Sequence, residues 1–101
     1  MKSLVENGFT NFPNLQVILL TFNEITDIDV NAFNNLTELT TLFLGHNEIT
    51  ELPDGVFDGL IRLQKLDLEN NPVANYTTRY LIVAHFKTKL IIFFQIWLKI
   101  S

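Results

Sequence analysis

The sequence predicts an α/β solenoid, a short arc of stacked repeats with a parallel sheet on the concave side and turns or short helices on the convex side. Three observations carry this expectation. The tetrapeptide Asn-Glu-Ile-Thr occurs at residues 23–26 and again at 47–50, an offset of 24 residues. The same frame surrounds both copies: Leu15, Ile18, Leu20, Asn23, Ile25, Ile28, Phe33, then Leu39, Leu42, Leu44, Asn47, Ile49, Leu52, Phe57. Aligned without gaps, residues 12–35 and 36–59 agree at seven of 24 positions, where unrelated segments of ordinary composition share roughly one or two. A period of ~20–50 residues is the signature of a repeat architecture, in which each unit buries its apolar face against its neighbours.

The period divides the chain into a partial unit at 1–11, full units at 12–35 and 36–59, a partial unit at 60–73, and a C-terminal segment at 74–101. Leu4 and Phe9 of the first partial unit stand 24 residues before Ile28 and Phe33. Within each unit, strand side chains alternate, so the pairs Ile18/Leu20, Leu42/Leu44 and Leu66/Leu68 point to one side, the interior. Asn23, Asn47 and Asn71 follow, where the chain turns and leaves backbone groups unpaired. A primary amide carries donors and an acceptor together, so a stack of Asn satisfies those groups. Replacing Asn47 by Leu is therefore expected to cost about 1–3 kcal/mol through unsatisfied polar groups. Phe9, Phe33 and Phe57 share one phase and are expected to stack under the convex side. Pro53 with Asp54-Gly55 marks a turn in the second full unit.

The frame LxxLxLxxNxI over residues 4–73 resembles the leucine-rich repeat family. The segment Leu-Pro-Asp-Gly-Val-Phe-Asp-Gly-Leu, residues 52–60, resembles the repeats of Slit, Toll-like receptors and variable lymphocyte receptors. The resemblance implies a non-enzymatic module that binds a protein partner through its concave face. Residues 72–80, with Pro72, Val73, Tyr76, Arg79 and Tyr80, resemble the cysteine-free C-terminal cap of intracellular members, which implies a capping helix over roughly 76–86. The Leu-Pro and closing Leu-Asp of that cap are absent here.

Composition narrows the function further. The 101 residues are 48% hydrophobic with nine Phe, enough for one core and one domain. About three repeats is the lower limit for an independent array, so marginal stability is expected. Residues 1–60 hold one base against nine acids, and residues 61–101 six bases against two acids. The repeats are thus acidic, which argues against nucleic acid as a partner, because a phosphate backbone requires a basic stripe. There is no cysteine, hence no disulfide framework, thiolate metal site or Cys nucleophile. His46 and His85 are the only histidines, and neither belongs to a recognisable catalytic motif. No cofactor is expected, and a metal reading of Asp67 and Glu69 with His46 has no ligand-rich loop behind it.

The residues between the inward pairs face out onto the sheet. They form the rows Val17-Thr41-Lys65, Leu19-Phe43-Asp67 and Thr21-Gly45-Glu69, flanked by Phe22, His46 and Asn70. Leu19 and Phe43, with Val17 and Phe22, make an apolar anchor of the kind hot spots favour, and Lys65, Asp67 and Glu69 form a charged rim beside it. The partner-binding set read from the sequence is Val17, Leu19, Thr21, Thr41, Phe43, His46, Lys65, Asp67 and Glu69. The bland reading of Leu19 and Phe22 is packing against an N-terminal cap, and the N-terminal edge is also a route to self-association.

Residues 90–98, Leu-Ile-Ile-Phe-Phe-Gln-Ile-Trp-Leu, are short for a membrane span, which needs ~20 apolar residues, and Lys89, Lys87 and His85 precede them. They read as a buried strand, with Leu90 and Ile92 standing 24 residues after Leu66 and Leu68. The alternative function is a truncated cell-surface receptor of the leucine-rich repeat type whose apolar tail associates with a membrane. The start, Met-Lys-Ser-Leu-Val-Glu-Asn-Gly, lacks the apolar stretch of a signal peptide. The chain as written therefore reads as cytoplasmic, whereas its repeat type points to a cell-surface or extracellular parent. Two sequons, Asn35-Leu36-Thr37 and Asn75-Tyr76-Thr77, carry little weight, since about one or two arise by chance among eleven Asn.

Overall fold

A computed structural model describes residues 2–74. The three LxL segments become three short strands in one parallel sheet: β2 (Val17–Leu19), β4 (Thr41–Phe43) and β5 (Lys65–Asp67), in the order β2-β4-β5. The registers pair Val17 with Thr41 and Thr41 with Lys65, Leu19 with Phe43 and Phe43 with Asp67. Each step is the 24-residue period seen in the sequence, so the sheet is the repeat written in hydrogen bonds. The pairing runs past the strand ends: Leu20 N–H donates to Phe43 O and Leu44 N–H to Asp67 O, each at 2.8 Å.

A second sheet, which the periodicity does not announce, joins β1 (Ser3–Leu4) to β3 (Asp27–Ile28) in parallel on the return arm. It closes with Asp29 N–H donating to Leu4 O at 2.8 Å. In the next repeat the residue equivalent to Asp29 is Pro53, which has no N–H to give. That bond therefore has no counterpart one repeat later, and the arm of the second unit passes without strand structure.

The convex path consists of successive tight turns rather than helices among the described residues. Ala32 N–H donates to Asp29 O, Leu36 N–H to Phe33 O and Leu39 N–H to Leu36 O, and the following unit repeats the pattern at Val56, Leu60 and Leu63. Gly55, at φ +78°, supplies the left-handed step of that turn. The expected capping helix over 76–86, the strand at Leu90 and Ile92, and the apolar tail all lie outside the described residues.

The core holds most of the inward positions the frame assigns, with Leu15, Leu20 and Leu52 only partly buried, and adds Leu36 and Leu60, which the frame does not mark. Leu36, Leu39, Leu42, Leu44, Ile25 and Ile49 are fully buried, and Leu60, Leu63, Leu66 and Leu68 nearly so. Beneath them Phe9, Phe33 and Phe57 stack as expected, with ring centroids 6.1 Å apart at each step. Offset aromatic stacking at this spacing adds about 0.5–1.5 kcal/mol per pair to the burial itself.

The Asn ladder binds one unit to the next. Asn47 Oδ1 accepts from the N–H groups of Asn23 (2.8 Å) and Ile25 (3.0 Å). Its Nδ2 lies 2.9 Å from Leu20 O, 2.9 Å from Leu44 O and 3.1 Å from Gly45 O. Asn71 repeats this one unit later, accepting from Ile49 N–H and donating to Leu44 O, Leu68 O and Glu69 O. Both amides are buried, and no buried side-chain polar atom among the described residues lacks a partner.

Candidate interaction surface

The strands hold one side chain in and two out: the burial pattern of β2 is exposed, buried, exposed, with the central Ile18, Leu42 and Leu66 inward in all three. Val17, Leu19, Thr41, Phe43, Lys65 and Asp67 therefore share the outer face of the sheet, in the rows expected. The face is uneven. Leu19 is 61% exposed on the outermost strand of the order, whereas Thr41 and Phe43 on the central strand are half-buried by their neighbours.

Past the strands the chain turns sharply, and the same position takes a left-handed conformation in each repeat: Phe22 at φ 59°, His46 at φ 55° and Asn70 at φ 56°. Asn and His tolerate this region, but a Phe there stores strain of order 1–3 kcal/mol. The geometry places the Phe22 ring flat on the His46 imidazole, with centroids 4.4 Å apart and 13° between planes. His46 Nε2 in turn lies 3.1 Å from Glu69 Oε1, and the Asn70 amide lies 3.3 Å from both ring nitrogens. Phe22, His46, Glu69 and Asn70 thus form a ridge across three repeats at one margin of the sheet. Phe22 is its apolar end, 75% exposed. The sequence places Phe22, His46 and Asn70 side by side through their 24-residue spacing. It does not signal the ring stack, which depends on left-handed backbone at both residues, a conformation that a Phe seldom adopts.

Gly45 lies between ridge and strands. A Cβ at Gly45 would stand 3.1 Å from Asp67 Oδ2 and 3.4 Å from Glu69 Cγ, so glycine at this position lets the two acidic side chains lie over the backbone. Asp67 is also tied down: its Oδ1 accepts the Glu69 N–H at 2.9 Å, an Asx-type turn. Asp67 and Glu69 therefore contribute to the turn as well as to surface charge, and the rim is more ordered than a solvated fringe. Thr21 is half-buried, and Lys65 stands exposed at the opposite end of β5 from Asp67. Among the described residues no group of three His, Asp or Glu side chains is placed to hold a metal. No helix among them is long and apolar enough to cross a membrane.

A parallel sheet, a buried Asn ladder and a Phe spine, each stepping by 24 residues, define a solenoid repeat protein. Residues 13–73 match the family described as Leucine rich repeat, and the chain belongs to that family. Among solved structures it is similar to the Toll-like receptor of the TLR13–ssRNA13 complex, with a TM-score of 0.67 and 30% identity over 69% of this chain. The chain spans 10% of the length of that receptor chain. No curated protein gives a significant match.

Proposed function

We propose that this chain is a non-enzymatic interaction module that binds a protein partner through the concave face of its sheet, with Leu19 and Phe43 as anchors. The observation that carries the reading is the exposure of Leu19, Val17 and Phe22 at positions the repeat does not need for packing. Large apolar side chains gathered on one face mark interaction sites more often than scattered ones do. Thr21, Thr41, His46, Lys65, Asp67 and Glu69 surround the anchor as a polar rim, which governs specificity and association rate.

The partner is protein rather than nucleic acid. The receptor in the similar structure is in complex with ssRNA, but residues 2–74 of this chain hold three bases and eleven acids. A phosphate backbone approaching that surface meets like charge, without the Lys/Arg contacts that release counterions. Quantitative affinity capture with the full chain, compared with L19S/F43S and with V30S on another surface, tests the reading. Partners lost by the sheet variant and kept by V30S are expected; partners kept by both variants contradict it. Fluorescence anisotropy with single-stranded RNA near physiological salt is expected to show no binding, and saturable RNA binding would replace the protein reading.

A second reading makes the chain a segment of a cell-surface receptor with a membrane-associated tail. Its support is the similarity to a tenth of a Toll-like receptor chain. Retention in a carbonate-washed membrane pellet is the result this reading requires, and release into the soluble fraction removes it.

A further inference from the structure

We propose that the outer edge of β2 takes up an extended, uncharged segment of another protein as an added parallel strand. The inference goes beyond the sheet-face reading, because it rests on backbone groups at the edge and not on side chains of the face. β2 is terminal in the order β2-β4-β5, and among the described residues nothing pairs with its far side. The repeat identifies the groups that stand there. Thr41 N–H donates to Gln16 O at 3.1 Å, while Phe43 O and Gly45 O accept from the N–H groups of Leu20 and Phe22, so all three face β2. Their counterparts one unit earlier, Val17 N–H, Leu19 O and Thr21 O, face the open edge.

The Asn ladder ends at the same edge. Asn47 Oδ1 accepts from Asn23 and Ile25 in the preceding unit, and its Nδ2 reaches Gly45 O at 3.1 Å. Asn23 Nδ2 makes the matching bond to Thr21 O at 3.0 Å, so this amide already stands in the ladder orientation. Its Oδ1 has no partner among the described residues. Apolar cover stops there too: Leu15 and Leu20 are only partly buried, whereas Leu39 and Leu44 one unit later are fully buried. No charged residue stands between Glu6 and Glu24, so the edge lacks the charges that keep strands from pairing.

These groups specify the occupant. It runs parallel to β2, offers a carbonyl to Val17 N–H and N–H groups to Leu19 O and Asn23 Oδ1. It also sets two alternate apolar side chains beside Ile18 and Leu20; a charge at either place would be buried unpaired. One strand fits where a second solenoid does not. β1 pairs with β3 and Phe9 stacks on Phe33, so the return arm one step beyond β2 is already filled. A second copy pairing its β2 with this one would drive its own return arm into that layer.

The test is fluorescence anisotropy of a labelled synthetic peptide with the sequence of residues 40–49, Thr-Thr-Leu-Phe-Leu-Gly-His-Asn-Glu-Ile, titrated with the full chain. Saturable binding is expected. N-methylation of the peptide at Leu44, whose N–H would reach Leu19 O, is expected to weaken it at least about tenfold. N-methylation at Phe43, whose N–H points away from β2, is expected to cost less than about threefold. V17P removes the edge donor, which the β2–β4 ladder does not use, and is expected to act like the first; V17T keeps that N–H and is expected to act like the second. The methylated peptides probe the unaltered chain, so the result does not depend on V17P folding. No saturable binding, or equal loss on both methylations, overturns strand addition. So does a Val17 amide already protected from exchange in the free chain, whether by residues 90–98 or by a second copy. All three leave the sheet-face reading standing. Binding lost in F43S and kept in V17P places the peptide on the face and overturns the edge.

Discussion

At the scale of single residues, the ladder and the face divide the labour. Asn47 satisfies two N–H groups and three carbonyls drawn from two repeats, so truncating it strands buried backbone groups in both. N47L is expected to lower stability by at least about 1–3 kcal/mol, read as a shift of the urea midpoint. N47D keeps the acceptor and removes the donors, placing a carboxylate against three carbonyls. It is expected to be as damaging as N47L, and a wild-type midpoint would show that water fills the ladder instead. Leu19 behaves oppositely. It is exposed on an outer strand, so L19S is expected to change stability by no more than about 0.5 kcal/mol. The Asn and Leu positions were legible because they recur in the sequence. The roles of Asp67 and Gly45 were not, since one residue's hydrogen bond to the turn and another's missing Cβ leave no periodic trace.

Elements follow from the same period until a particular side chain interrupts it. The Phe spine was legible from phase alone: Phe33 is 2% exposed and sandwiched between Phe9 and Phe57. F33A removes one buried ring and both of its stacks, with an expected loss of about 3–5 kcal/mol in chemical denaturation. The return-arm sheet was not legible, because two-residue strands carry no pattern of their own. It forms where Asp29 donates to Leu4, and the equivalent donor is absent at Pro53. P53A supplies the missing N–H opposite Ile28 O. That amide is expected to be protected from hydrogen exchange, while overall stability shifts by less than about 1 kcal/mol because the chain also loses the conformational restriction of proline. Rapid exchange at position 53 would mean that the arm diverges for some reason other than the proline.

For the whole molecule, stability is a chain of neighbour contacts. The ladder, the sheet and the spine each link one unit to the next across 24 residues. Units coupled in this way unfold together when their interfaces outweigh their intrinsic stabilities. A single cooperative thermal transition is therefore expected, and a flat melt would contradict the interlocked core. The ion pair between Glu38 and Arg62 spans the same interval on the surface, but it is exposed and adds little. Function belongs at this scale too, because no one repeat holds the face: β2 brings the apolar pair, β4 the half-buried Phe43 and β5 the charge.

The central claim, that this sheet face receives the partner, is most directly tested by hydrogen–deuterium exchange of the full chain with and without a protein that affinity capture finds on it and that L19S/F43S loses. Slower exchange is predicted across residues 17–22, 41–46 and 65–70, with the convex turns at 29–39 and 53–62 unchanged. Protection confined to those turns, with the sheet segments exchanging as in the free chain, would contradict the account.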